Sequence, residues 1–192
     1  MPMNCDDARF VVCDTKKPRE LVDSAYNERR ATCERAAEIL GAHALRDVDE
    51  QTLAAGEKLL SETQLRRVRH VVGENARVQA GVEALERGDM VVLGELLNAS
   101  HVSLRDDYEV SCAELEAMRD AALAAPGCFG ARLMGAGFGG CVLALVQTAT
   151  VEEFGEQAWP RYEAETGLTP QMFVTSPADG AGLIGHSEGE VQ

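Results

Sequence analysis

The chain has 192 residues, 45% of them hydrophobic, and a formal net charge of −14. This length suits one sizeable domain or two small ones, and the apolar share is enough for a proper core. The acidity argues against nucleic acid, whose phosphates require Lys and Arg, and no apolar run is long enough to span a bilayer.

The acidic residues are spread through helical segments and read as a solvated surface. The opening residues, MPMNCDDARF, lack the basic and then apolar layout of a secretory signal. The six cysteines, Cys5, Cys13, Cys33, Cys112, Cys128 and Cys141, show neither a CxxC pair nor His/Cys ligand spacing. Buried free thiols and a cytoplasmic location are therefore expected.

In chain order, Arg9 to Asp14 reads as a short buried strand, and Lys17-Pro18 as a turn. Glu20 to Leu40 carries apolar residues at helical spacing and ends at Gly41, a natural cap. Leu45 to Gly56 reads as a loop with a short helix. Gln64 to Leu85 is the strongest helix. Val68, Val71, Val72, Val78, Val82 and Leu85 mark its inner face, and Arg66, His70, Glu74 and Arg77 its solvated face. A helix from Met90 to about Ser100 follows, with Leu93, Leu96 and Leu97 inward, and then a charged connecting segment, Leu104 to Tyr108. Ser111-Cys112-Ala113-Glu114 has the capping-box pattern and opens a helix that closes at Pro126-Gly127. Strands are expected at Cys128 to Met134 and Gly140 to Val146, a helix at Val151 to Thr166, and a last strand at Gln171 to Thr175.

Without the inserted helices, this order is the split βαββαβ arrangement, a ferredoxin-like α+β fold with an antiparallel sheet and helices on one face. Residues 8–183 form the expected domain, and 184–192 a frayed tail.

The most informative stretch is RLMGAGFGGCVLALV, Arg132 to Val146. Two apolar runs flank Gly135-Ala136-Gly137-Phe138-Gly139-Gly140. Glycines allow positive φ and close backbone approach, and consecutive N–H groups in such a turn suit a phosphate site. The spacing matches neither the dinucleotide fingerprint nor the Walker pattern, so taken alone the plain reading is a hairpin turn. His70, between Arg66 and Glu74, reads as a surface ion-pair residue. His101 precedes the charged segment, and Asp106 and Asp107 read as helix caps or arginine partners ahead of metal ligands. Tyr26 reads by pattern alone as core or helix-surface packing. No nucleophile set stands out.

Three stretches carry more. SAYNERRATCERAAEILG (Ser24 to Gly41), SHVSLRDDYEVSCAELEAM (Ser100 to Met118) and the glycine-rich stretch together resemble the C-terminal half of galactokinase. RRVRHVVGENARV (Arg66 to Val78) and ADGAG (Ala178 to Gly182) support this. The glycine motif alone indicates only the superfamily of galacto-, homoserine, mevalonate and phosphomevalonate kinases, a resemblance that implies the superfamily's C-terminal domain core at about 87–176. The Leu-Arg-Asp-Asp-Tyr-Glu-Val-Ser stretch with Tyr-Asn-x-Arg-Arg is more specific to galactokinase.

The resemblance implies transfer of the γ-phosphoryl group of MgATP to the C1 hydroxyl of galactose, with galactose, ATP and an N-terminal lobe as partners. It implies no metal site and no catalytic residue within this chain, because the family's nucleotide loop, Mg-binding side chains and catalytic Asp precede the strand at Arg9. Tyr26 matches the tyrosine that approaches galactose. Gly135, Ala136, Gly137, Phe138, Gly139 and Gly140 match the loop that lines the cleft and supports the nucleotide loop of the other lobe. Met134 stands where the family usually has Thr, so a hydroxyl beside the loop is missing. The expected activity is that of a lobe inactive without its partner lobe. The other reading is a non-catalytic, galactose-responsive module derived from the kinase.

Overall fold

The computed structural model describes residues 7–18 and 22–178. The expected tail at 184–192, Cys5 and the ADGAG stretch beyond Ala178 lie outside them. Ten main elements follow in order: β1 (Ala8–Asp14), α1 (Val22–Ile39), α2 (Glu50–Gly56), α3 (Glu62–Arg87), α4 (Met90–Asp106), α5 (Ala113–Leu123), β2 (Cys128–Met134), β3 (Cys141–Gln147), α6 (Val151–Thr166) and β4 (Gln171–Thr175).

The four strands form one sheet in the order β2-β3-β1-β4, and every neighbouring pair is antiparallel. This is the strand order of the split βαββαβ motif. The register puts Val11 opposite Ala144, and Ala144 opposite Ala131. Alternation then sends Val11, Cys13, Ala131, Leu133, Val142, Ala144 and Val146 to one face. There they pack against Leu115, Met118 and Ala122 of α5 and Phe154, Ala158 and Tyr162 of α6. The expectation of helices on one face holds for α5 and α6. The inserted helices add cover to the other face, where Ala8 and Leu145 meet Ala84 of α3 and Met90 and Leu93 of α4.

The α4 helix comes unusually near β2. A Cβ on Gly130 would lie 2.0 Å from the Gly94 carbonyl oxygen, and one on Gly94 would lie 2.3 Å from that of Phe129. Only glycine pairs permit this contact. Close approach lets α4 seal the sheet edge. The Ala131 amide donates to Asn98 Oδ1 at 3.0 Å, and the Leu133 amide to His101 Nδ1 at 3.1 Å. An edge strand would otherwise leave these donors open to another chain or unpaired.

The sequence reading of α3 needs correction. Its ends are well specified: Ser61 and Gln64 form a reciprocal capping box, and Gly88 closes the helix in the left-handed region at φ 68°. Its inner face is different from the valine stripe. Arg67, Val68, His70, Val72, Gly81 and Ala84 are buried, whereas Val78 and Val82 are exposed. At 26 residues the helix is about 39 Å long, more than one core can cover along a single stripe. Polar partners from α4 and the following turn bury the other side instead.

Two further expectations shift. Helix α4 runs on to Asp106, so His101 and Leu104 to Asp106 are helical and not part of a connecting segment. The N-cap of α5 is Cys112, which makes no side-chain cap bond. The Ser111 hydroxyl is drawn away to Glu116 Oε1. Among the described cysteines only Cys13 is buried, Cys33, Cys112, Cys128 and Cys141 are partly exposed, and none forms a disulfide.

Candidate active site

Strand β2 ends at Met134 and β3 begins at Cys141, leaving the six-residue glycine loop between them. Five of the six have positive φ: Gly135 (84°), Gly137 (86°), Phe138 (55°), Gly139 (121°) and Gly140 (90°). The loop is clamped from two sides. On one side the Phe138 amide donates to the Val110 carbonyl at 2.7 Å. On the other, the Gly140 amide donates to the Lys17 carbonyl at 3.3 Å, and the Gly140 carbonyl accepts the Thr15 amide at 3.0 Å and the Thr15 hydroxyl at 2.6 Å. The Thr15 carbonyl is in turn fixed by the buried Tyr162 hydroxyl at 2.7 Å.

A cavity of about 220 Å³ opens beside the loop. Its walls are Tyr26 and Arg29 of α1, Leu104, Tyr108 and Val110, and Gly135, Ala136 and Phe138 of the loop. Tyr26 is 57% exposed, so the core-packing reading of this residue fails. The structure thus brings Tyr26 together with Gly135, Ala136 and Phe138. Gly137, Gly139 and Gly140 do not line the cavity. Gly137 backs onto Val110, and Gly139 onto Lys17 and Pro18.

Arg29, one turn after Tyr26, ties the walls together. Its Nε donates to the Tyr108 carbonyl at 2.8 Å and its Nη2 to the Glu109 carbonyl at 2.5 Å. Its guanidinium lies 5.0 Å from the centroid of the Phe138 ring. Tyr108 is held from behind. His70 stacks on it with ring centroids 4.4 Å apart, and the Arg67 guanidinium lies 5.8 Å from its ring centroid.

His70 is therefore not the surface ion-pair residue its flanking charges suggest. It is buried, with Nδ1 3.0 Å from the Ser103 hydroxyl, which donates to Asp107 Oδ2 at 3.0 Å. Burial pushes the imidazole down to about 4, so it is neutral at physiological pH. His101 is also buried. Its Nδ1 accepts from the Leu133 amide, so the proton sits on Nε2 and is donated to Glu116 Oε1 at 2.9 Å. Its burial likewise lowers its affinity for a second proton, against the pull of Glu116. Asp106 pairs with Arg105 at 2.7 Å.

The sequence reading singled out Tyr26 and the loop but not Arg29, Arg67, Tyr108 or Val110. The available signal was the polar spacing Arg67, His70, Glu74 on α3, which marks a face that meets a polar partner as readily as one that meets water. Among the described residues, no carboxylate or imidazole lines the cavity. Among the described residues, no group of three or more His, Cys, Asp or Glu side chains is placed to hold a metal ion. What this chain offers is a shaped turn, an exposed phenol and an apolar wall.

Residues 82–164 match the family model described as GHMP kinases C terminal. Over these residues the chain resembles the C-terminal domain of the GHMP kinases. It is 45% identical to the galactokinase of Roseiflexus sp. (strain RS-1) over 91% of its own length and 46% of that protein. It is 46% identical to the galactokinase of Chloroflexus aurantiacus over 96% of its length and 48% of that protein. The crystal structure of Lactococcus lactis galactokinase complexed with galactose superposes with a TM-score of 0.86 at 37% identity, covering 91% of this chain and 46% of that one. The crystal structure of L. major mevalonate kinase in complex with R-mevalonate shares the fold at a TM-score of 0.63 and 19% identity, covering 94% of this chain and 46% of that one. The chain thus spans about half the length of the curated relatives it matches, and it matches their C-terminal half. No helix among the described residues is long and apolar enough to cross a membrane.

Proposed function

We propose that this chain works as the C-terminal lobe of a galactokinase, which transfers the γ-phosphoryl group of MgATP to the C1 hydroxyl of galactose. The observation that carries the reading is the shared cavity. Tyr26 and the glycine loop, far apart in sequence, form two walls of one space. In this reading the Tyr26 hydroxyl orients the sugar. The loop holds the reacting groups in line by supporting the nucleotide loop of an N-terminal lobe. The Mg²⁺ ion arrives with ATP, and no residue of this chain is assigned to it.

Phosphoryl transfer rests on positioning and on charge stabilisation around the transferred group. This chain supplies positioning. In this reading the catalytic carboxylate and the nucleotide loop belong to an N-terminal lobe. The chain alone is therefore expected to be inactive, and a cytoplasmic enzyme of sugar metabolism is the expected setting.

The test is reconstitution. ADP release with MgATP and galactose is measured for this chain alone, for the N-terminal half of the Roseiflexus galactokinase alone, and for the two joined in one polypeptide. The reading expects galactose-dependent turnover only from the joined protein. Turnover by the chain alone would overturn the division of labour. A folded but inactive joined protein would favour a non-catalytic, galactose-responsive module.

A further inference from the structure

We infer that Arg67, which touches neither the cavity nor the glycine loop, is a positioning residue for that loop. Its place on α3 is buried, with 4% of its surface exposed. A guanidinium is taken out of water only at high cost unless its donors are used. Here Nε is buried without a hydrogen-bond partner, and the two terminal nitrogens grip one short segment. Nη1 donates to the Asp107 carbonyl, and Nη2 donates to Glu109 Oε2 at 2.6 Å. The Tyr108 ring lies between these two anchors, with His70 stacked on it.

The gripped segment is bent against its own preference. Glu109 has φ 54°, a conformation that a side chain with a Cβ adopts only when its surroundings impose it. Arg67 fixes the residues on either side of Tyr108 from behind. Arg29 closes on the Tyr108 and Glu109 carbonyls from the front. Two cations thus lock one turn, and the next residue is Val110.

Val110 is where the turn meets the glycine loop. Its carbonyl accepts the Phe138 amide at 2.7 Å, and it leaves no room for a Cβ at Gly137. A shift of the turn at Glu109 therefore moves the Val110 carbonyl and pulls or frees the loop. Arg67 acts at two removes: it sets the turn, and the turn sets the loop. Any effect of this on phosphoryl transfer rests on the galactokinase reading. The mechanical coupling of Arg67 to Phe138 does not.

The test has two readouts. The first is amide hydrogen exchange in the 192-residue chain, followed residue by residue by NMR. Arg67→Met is expected to speed exchange of the Phe138 amide at least tenfold, with Leu143 and Ala144 in β3 unchanged. Glu109→Ala, at an exposed site, removes one anchor without disturbing the core and serves if Arg67→Met does not fold. It is expected to speed the Phe138 amide by about threefold. An unchanged Phe138 amide in whichever variant folds would overturn the inference.

The second readout uses the joined protein described above. Arg67→Met is expected to lower kcat by roughly 100-fold, the scale of a misplacement of about 1 Å, with KM for galactose within about twofold. Arg67→Lys, which keeps the charge but not the fork, is expected to recover only part of that loss. An unaltered kcat in a folded Arg67→Met protein would also overturn the positioning role. If the unsubstituted joined protein is inactive, the galactokinase reading fails, and the exchange result alone decides the coupling.

Discussion

The carbonyl oxygen of Val110 lies 2.1 Å from the point where a Cβ on Gly137 would fall. No real Cβ tolerates that distance to a backbone oxygen, and the φ of 86° at Gly137 is unfavourable for any side chain. The glycine is thus required twice, by conformation and by contact. Gly137→Val in the joined protein is expected to cut kcat/KM by at least roughly 100-fold, because the loop must move by an ångström or more. The strands on either side are anchored independently, so circular dichroism should remain that of the folded protein. An unchanged kcat/KM would show the loop to be a plain turn.

The pair Gly94 and Gly130 makes a similar demand in a purely structural setting. Gly130→Ala drives a methyl group into the Gly94 carbonyl, and neither backbone can yield without lifting α4 off β2. Overpacking costs typically about 1–3 kcal/mol, and a backbone-on-backbone clash belongs at the upper end. The expected fall in Tm is roughly 5–10 °C for a chain of this size. Lifting α4 would also release the Ala131 and Leu133 amides from Asn98 and His101. Faster exchange of those two amides should accompany the loss. A Tm within a degree of the parent would contradict the close packing.

The sheet was legible because its strands announce themselves. Cys128 to Met134 is bounded by Pro126-Gly127 and the glycine loop, and the observed β2 has the expected ends. The α6 boundaries also coincide with the expected ones, since the helical pattern ends at Gly167, which takes a left-handed φ of 70°. The α3 face was misread for a physical reason. Hydrophobic spacing identifies a helix, but Val78 and Val82 are exposed while Arg67 and His70 are buried. What buries them is the turn at Asp107 to Glu109, some 40 residues on, which no local pattern on α3 reveals. The same holds for the cavity. The glycine loop can be read locally, whereas the meeting of Tyr26 with Ala136 and Phe138 depends on how α1 lies against the loop.

Burial of His70 makes stability depend on pH in a defined window. Burial holds its folded value down to about 4, against an ordinary value near 6.5. Between those values the unfolded chain binds a proton that the folded chain does not. Its contribution is therefore complete above about pH 6.5, falls as pH drops towards 4 and levels off below. The steepest loss for one such proton is about 1.4 kcal/mol per pH unit. Urea midpoints at pH 7.5, 6 and 5 should show this decline superposed on that of the carboxylates. In His70→Gln the slope between pH 6 and 5 is expected to be shallower. Parallel curves for parent and variant would mean that the imidazole is already protonated in the fold.

Tyr26 separates a binding role from a packing role by two measurements that must move in opposite senses. Its ring is 57% exposed, and it forms a cavity wall with Arg29, Tyr108, Ala136 and Phe138. Truncating a buried aromatic costs about 3–5 kcal/mol, so Tyr162→Ala, which removes a fully buried ring, is the internal comparison. Tyr26→Ala should cost less than about 1 kcal/mol, because most of the ring's surface is already in water. In the joined protein the loss of one sugar contact should raise KM for galactose by roughly 3–10-fold, the value of a single hydrogen bond in a binding site. KM for ATP should change by less than about twofold. Tyr26→Phe should reproduce most of the galactose effect if the hydroxyl makes the contact, and little of it if the ring face does. Equal rises in both KM values would place Tyr26 in the general support of the cleft. A destabilisation matching that of Tyr162→Ala would return it to the packing role that its sequence context suggested.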